Sequence, residues 1–114
     1  SGLNPEIMGL GPIEAIRQTL GRANMTIDQI DLVEINEAFA CQVIGSARHL
    51  GIDLDKQMNV HGGAIALGHP FGMTGARIMT TLLNGLQWED KTYGLESMCV
   101  GGGQGMAMIV ERLS

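Results

Sequence analysis

Residues 31–50, Asp31-Leu32-Val33-Glu34-Ile35-Asn36-Glu37-Ala38-Phe39-Ala40-Cys41-Gln42-Val43-Ile44-Gly45-Ser46-Ala47-Arg48-His49-Leu50, change their period part-way along. Asp31 to Asn36 reads as a strand. From Ala38 to Leu50 the apolar positions Phe39, Val43, Ile44, Ala47 and Leu50 recur at three and four, which predicts one face of a helix, with Gly51 placed to stop it. A strand feeding directly into an amphipathic helix is the basic step of an α/β fold. Working outward, Pro12 sits where a first helical position belongs, and Ile13, Ile16, Leu20 and Ala23 predict a helix to about Asn24, with Gly21 weakening it. Before it, Ser1 to Gly11 shows no period and reads as an irregular opening segment. Thr26, Asp28 and Gln29 resemble a capped helical turn. Downstream, Gln57 to Val60 is expected as a short strand, and Gly62 to Gly72 as a loop unusually apolar for one facing water. Thr74 to Leu86 is expected as a helix. Tyr93 to Val100 and Met106 to Leu113 read as strands joined by a Gly101 to Gly105 turn. The expectation is therefore an α/β layered unit with a mixed sheet and helices packed on it.

Composition limits what such a unit can do. Seven basic against twelve acidic residues give a formal charge of -5, which argues against a nucleic-acid binder working through bulk positive charge. At 114 residues the chain holds at most one domain, 1–114, and 45% hydrophobic content places it with globular proteins. No apolar run approaches the roughly 18 residues of a membrane span. Two cysteines, Cys41 and Cys99, make no disulfide framework and suit a reducing, cytoplasmic setting. The first residue is Ser, so a chain processed, or cut from something longer, is expected. Glycine is the outlier: 17 of 114 residues, with five between Gly62 and Gly75 and four between Gly101 and Gly105. Clustering of that kind marks specific loops where backbone turns sharply or approaches something closely.

Those loops hold the candidate chemistry. His69 lies between Gly68 and Pro70, where an imidazole can meet a ligand and exchange protons; the alternative is a histidine satisfied by neighbouring backbone. Cys99 ends a strand just before three glycines, whose bare N–H groups favour a thiolate; the alternative is a small buried hydrophobe. Asn36 can be a strand-end or capping residue, and Glu37 can serve the dipole of the following helix. Met8, Ala38 and Phe39 can equally be core. His49 reads as solvated surface and Cys41 as packing. Other readings fail on spacing: His69-Pro70 replaces the Lys-Ser/Thr of a phosphate loop, no G-x-G-x-x-G occurs, and three scattered His with two distant Cys form no metal pattern.

Four segments, Met8-Gly9-Leu10-Gly11-Pro12, Asn36-Glu37-Ala38-Phe39-Ala40, Gly62 through Gly75, and Cys99-Val100-Gly101-Gly102-Gly103-Gln104-Gly105, resemble in this order the C-terminal half of the thiolases. These are acyl-CoA acyltransferases that make or cleave 3-ketoacyl-CoA, and the resemblance covers essentially the whole chain. It implies that His69 deprotonates a nucleophilic Cys from the other half of the protein. It further implies that Cys99 moves the proton on C2 of acetyl-CoA. By the same resemblance, His69 and a water held by Asn36 form one oxyanion hole, and the Gly101 N–H contributes to a second. Donors so aimed are typically worth about 3 to 4 kcal/mol each. Met8, Ala38 and Phe39 match pocket positions near the thioester. His61 stands where many relatives carry Asn.

The resemblance also sets what is missing. The nucleophilic Cys belongs to an N-terminal half, and neither Cys41 nor Cys99 lies in a matching context. The family's C-terminal half is expected to have five strands with the first in the centre, ahead of the segment matching Pro5 to Pro12; four are counted here. The chain is thus expected to be an incomplete half, lacking its central strand and prone to aggregate. The resemblance implies coenzyme A and acyl-CoA as substrates, no permanently bound cofactor, the N-terminal half as partner, and a homodimer or homotetramer. A degradative role in fatty-acid or steroid side-chain breakdown is the default direction. The alternative is a non-catalytic CoA-binding or interaction module derived from a thiolase end.

Overall fold

A computed structural model describes all 114 residues, Ser1–Ser114. The predicted strand and helix of residues 31–50 form as β1, Leu32–Ile35, and α2, Ala40–Leu50. The opening segment is more ordered than its composition suggests: Pro5–Leu10 is a 3-10 helix, its first turn closed by the Asn4 side chain accepting from the Glu6 N–H at 3.0 Å. It runs into α1, Gly11–Ala23, which ends where Asn24 takes a left-handed φ of 54°. Asn tolerates that conformation, so the helix stops there despite Gly21 inside it. A second 3-10 turn, Ile27–Gln29, carries the expected capping contact, Gln29 accepting from the Thr26 N–H at 2.8 Å.

The Gly62–Gly72 stretch contains a one-turn helix, α3, Ala64–Leu67. Beyond it come α4, Thr74–Trp88, then the hairpin β2, Tyr93–Val100, and β3, Gln104–Glu111. The turn occupies only Gly101–Gly103, so β3 starts two residues earlier than its apolar pattern indicates. Gly105 pairs with Cys99 within the strand, and Gly11 packs on it so closely that a Cβ at 105 would strike the Gly11 backbone.

The sheet is mixed, in the order β1-β2-β3, with β1 parallel and β3 antiparallel to β2. Two expectations are corrected here. Gln57–Val60 does not form a strand; it contributes a single parallel bridge, Val33↔Met58, because Asn59 turns left-handed at φ 48° and breaks the ladder. The strand count is three, not four. Nor is there a vacant central slot: β1 and β2 pair directly in continuous register from Leu32↔Gly94 to Ile35↔Ser97, and a strand could enter only by breaking that ladder. A further strand can add only at a free edge. One is the outer edge of β3, where Gly2 already bridges Gln104.

Helices cover both faces. On one, Ile16 and Leu20 of α1 and Val43 and Ala47 of α2 pack on Val33, Ile35 and Leu95. On the other, Leu82 and Leu86 of α4 pack on Leu32. The α2 face is rotated from the predicted one: Val43 and Ala47 are buried beside Gln42 and Ser46, whereas Ile44 and Phe39 are exposed. Cys41, expected to pack, is exposed, and so is His49.

Candidate active site

Because β1 and β2 are parallel, their carboxyl ends finish at the same edge, the edge at which open α/β sheets build their sites. Asn36 follows the last residue of β1 and is 1% exposed; its N–H donates to the Ser97 carbonyl at 2.9 Å, extending the ladder by one bond. Cys99 stands near the end of β2, half-buried and unpaired, opposite Gly105 of β3. Gly101 opens the exposed turn beyond it, where a Cβ would meet no other part of the chain within 4 Å.

His69 reaches this edge from the loop after α3. Its Nε2 lies 3.5 Å from Asn36 Nδ2, and its Nδ1 lies 2.5 Å from Thr74 Oγ1. The ring's protonation pattern follows from these contacts. Thr74 Oγ1 has one hydrogen and gives it to the Pro70 carbonyl at 3.0 Å, so it can only accept from His69. Nδ1 therefore carries the proton, and Nε2 keeps its lone pair, turned toward Asn36. Asn36 Nδ2 is the donor in that contact, and Asn36 Oδ1 is left buried with no partner in the chain. Beside His69 opens a concavity of about 380 Å³, lined by Phe71, Thr74, Gly75, Glu96, Met98 and Met106 among others.

The remaining predicted positions are more dispersed. Met8 is half-buried in the first 3-10 helix, Ala38 is half-buried, and Phe39 is 67% exposed at the start of α2. None of the three lines the concavity at His69. Glu37 does not serve the helix that follows it; its carboxylate accepts instead from the N–H of Ile65, in α3, at 2.8 Å. His61 contacts Glu89 at 3.0 Å and meets the Trp88 ring edge-on, tying the start of the glycine loop to the end of α4.

Sequence reasoning missed Thr74, whose signal is a hydroxyl five residues after His69 at the first position of a helix. It also missed a charged group under α4. Glu34 and Glu96 are directly paired across β1 and β2, both buried, with Arg77 Nη1 4.0 Å from Glu34 Oε2. Burial pushes the Glu34 carboxyl up to about 7, against the pull of Arg77 and with a smaller push from Glu37; burial also raises Glu96.

With this geometry in hand, the likeness to known proteins is specific. A family model described as "Thiolase, C-terminal domain" matches residues 1–112. The chain belongs to the thiolase family. It is 52% identical over 113 residues to an acetyl-CoA acetyltransferase of Escherichia coli (strain K12), a match covering 99% of this chain and 28% of the relative. It is 49% identical to a 3-ketoacyl-CoA thiolase of Vibrio vulnificus, covering 98% of this chain and 30% of the relative. Among solved structures, the Bacillus anthracis acetyl-CoA acetyltransferase superposes with a TM-score of 0.95 at 44% identity, over 99% of this chain and 28% of that one. Human mitochondrial 3-ketoacyl-CoA thiolase in complex with CoA gives the same TM-score at 46% identity, over 100% and 29%. The thiolase C-terminal unit described here thus spans less than a third of the length of these relatives. No helix in it is long and apolar enough to cross a membrane.

Proposed function

We propose that this chain is the C-terminal catalytic part of an acyl-CoA thiolase that exchanges acyl groups between coenzyme A and acetyl-CoA, working with an N-terminal half that supplies the nucleophilic Cys. The observation that carries the reading is the Asn36–His69–Thr74 arrangement at the edge where Cys99 and Gly101 also end. A basic Nε2 with Nδ1 anchored is what a general base for a thiol requires.

In the cleavage direction, His69 Nε2 takes the proton of the nucleophilic thiol. The thiolate attacks C3 of a 3-ketoacyl-CoA, the C2–C3 bond breaks, and its electron pair becomes the enolate of acetyl-CoA. The Nε2–H just formed, with a water held by Asn36, donates to that enolate oxygen. Cys99 gives its thiol proton to C2, releasing acetyl-CoA and leaving a thiolate. The incoming coenzyme A thiol returns a proton to Cys99 and attacks the acyl-enzyme carbonyl. The oxyanion formed is held by the Gly101 N–H and the N–H of the nucleophile. Collapse releases acyl-CoA and the nucleophilic thiolate, paired with the His69 imidazolium. Met8, Ala38 and Phe39 would line the thioester pocket once the other half is in place. Coenzyme A and acyl-CoA act as substrates, with no permanent cofactor; a homodimer or homotetramer in the cytoplasm and a degradative role in fatty-acid or steroid side-chain breakdown complete the proposal.

The test is thiolysis of acetoacetyl-CoA by the complete polypeptide carrying this chain. Turnover is expected, with His69→Asn and Cys99→Ser each lowering kcat about 10²- to 10⁴-fold. Deuterium exchange at C2 of acetyl-CoA should be lost in Cys99→Ser. Binding of acyl-CoA without turnover or exchange would sink the reading and leave a CoA-binding module.

A further inference from the structure

We propose that Glu37 and Asn59 are positioning residues that hold Asn36 and the His69 loop in register with each other; this rests on the acyltransferase reading above. Asn36 is a single residue between two anchored neighbours. On one side, the Asn59 side chain takes the place of a missing strand: its Oδ1 accepts from the Ile35 N–H at 2.9 Å and its Nδ2 donates to the Ile35 carbonyl at 3.0 Å. This continues the backbone pairing of Val33 with Gln57 and Asn59, at 2.7 and 2.8 Å, after the backbone itself has turned away. On the other side, Nδ2 also donates to Glu37 Oε1 at 3.1 Å.

Glu37 then carries the link into the loop. Its Oε2 accepts from the Ile65 N–H at 2.8 Å, and its carboxylate lies so close to Gly63 that any Cβ there would collide with it. A four-residue helix has almost no stability of its own and leaves its first N–H groups without partners. Glu37 supplies one from outside, and the helix ends at Gly68, the residue before His69. Neither Glu37 nor Asn59 touches the imidazole. Their effect passes through the 3.5 Å separation between Asn36 and His69, which is at the limit of hydrogen-bond reach and sensitive to small displacements.

The test uses the complete polypeptide carrying Glu37→Gln, which keeps the shape but turns one acceptor into a donor facing either Asn59 Nδ2 or the Ile65 N–H. Since a shift of about 1 Å in a reacting group costs about 100-fold, kcat for acetoacetyl-CoA thiolysis should fall about 10- to 100-fold. KM should stay within about twofold, because no substrate contact is removed. Asn59→Asp should lower kcat in the same way, because a carboxylate can donate neither to the Ile35 carbonyl nor to Glu37. A kcat within about twofold of the unmodified protein in Glu37→Gln or in Asn59→Asp overturns the proposal. If Glu37→Gln does not fold, Glu37→Asp is measured in its place. Should the unmodified protein not turn over, the acyltransferase reading fails by itself. Positioning is then read from a crystal structure of Glu37→Gln: an Asn36–His69 separation lengthened by about 1 Å upholds it, and an unchanged one overturns it.

Discussion

Thr74 fixes which nitrogen of His69 is placed to act as the base in the proposed reaction. Its hydroxyl hydrogen is committed to the Pro70 carbonyl, so the ring must donate through Nδ1, and the lone pair is set at Nε2, facing Asn36, before any substrate arrives. When Nε2 takes a proton, the Nδ1–H···Oγ1 contact becomes a hydrogen bond from a charged ring, worth about 1.5–3 kcal/mol. Thr74→Val keeps the size and removes that partner. The expected result is a kcat lowered about 10- to 100-fold in the complete polypeptide, with Thr74→Ser close to the original. Steady-state thiolysis kinetics on the two variants check it; a Val variant as fast as Ser would mean that the ring is oriented by something else. Glycine clusters draw attention to His69 and Cys99 in the sequence, but each by itself reads as well as a satisfied or packed residue, and their proposed roles, like that of Asn36, rest on the resemblance to thiolases. Thr74 carries no such flag, since a Thr at the start of a helix is ordinary, and only the distance to Nδ1 distinguishes it.

At the level of elements, the face of β1 and β2 under α4 is built around charge as well as packing. Leu32, Leu82 and Leu86 form a small apolar cluster, and beyond it Glu34, Glu96 and Arg77 share the interface, the three guanidinium nitrogens having no hydrogen-bond acceptor within the chain. The Glu34 carboxyl is raised to about 7 in the folded chain from an ordinary 4.5. The native state therefore binds the proton more tightly than the unfolded one, so this group's contribution to stability is full below 4.5 and is lost as pH rises toward 7. A shift of that size corresponds to roughly 3 kcal/mol. Glu34→Gln should remove the effect: its stability relative to the original protein should improve by roughly that amount between pH 4.5 and 7 and change little above. Arg77→Met should extend the window above pH 7, because the attraction that lowers the carboxyl is gone. Denaturant unfolding across that range measures both, and a constant difference between Glu34→Gln and the original protein would refute the assignment. This arrangement was illegible in the sequence for a definite reason. Glu34 alternates with Val33 and Ile35 in a short strand, so it reads as the polar half of a half-solvated strand, whereas α4 covers that face too. Gln57 to Val60 departs from its sequence in the opposite sense: it has strand composition, but Asn59 leaves the extended region and pairs through its side chain instead. The helices were legible because each carries a sustained period of three and four with a stop signal.

For the molecule as a whole, the two faces of the sheet are finished unequally. The α1 and α2 side holds a cluster of ten buried residues, the α4 side one of three. Beyond α4 and around the His69 loop, Ile65, Leu67, Phe71, Met73 and Leu83 are all exposed, Phe71 fully. At the sheet edge, Ser1 to Leu3 pair with the end of the glycine turn and the start of β3 and no further, through the Leu3 N–H to Gly103 carbonyl bond at 2.8 Å, the Gly2↔Gln104 bridge and the Gly105 N–H to Ser1 carbonyl bond at 3.0 Å. The rest of β3 has no strand on its outer side, and Met106 and Met108 on it are 59% and 48% exposed. An apolar edge strand of this kind templates pairing with another chain, whereas a lysine on the edge blocks it. The 114-residue chain by itself is therefore expected to sediment as species heavier than 12.1 kDa at micromolar concentration. Met106→Lys/Met108→Lys should move it toward the monomer. If edge pairing is the cause, the change will outweigh that of Leu83→Lys on α4, which leaves the edge intact. Sedimentation velocity on the three chains separates the cases: heavy species dispersed by the α4 substitution instead would shift the cause to the exposed helix face, and a monomeric original chain would show that neither surface drives association.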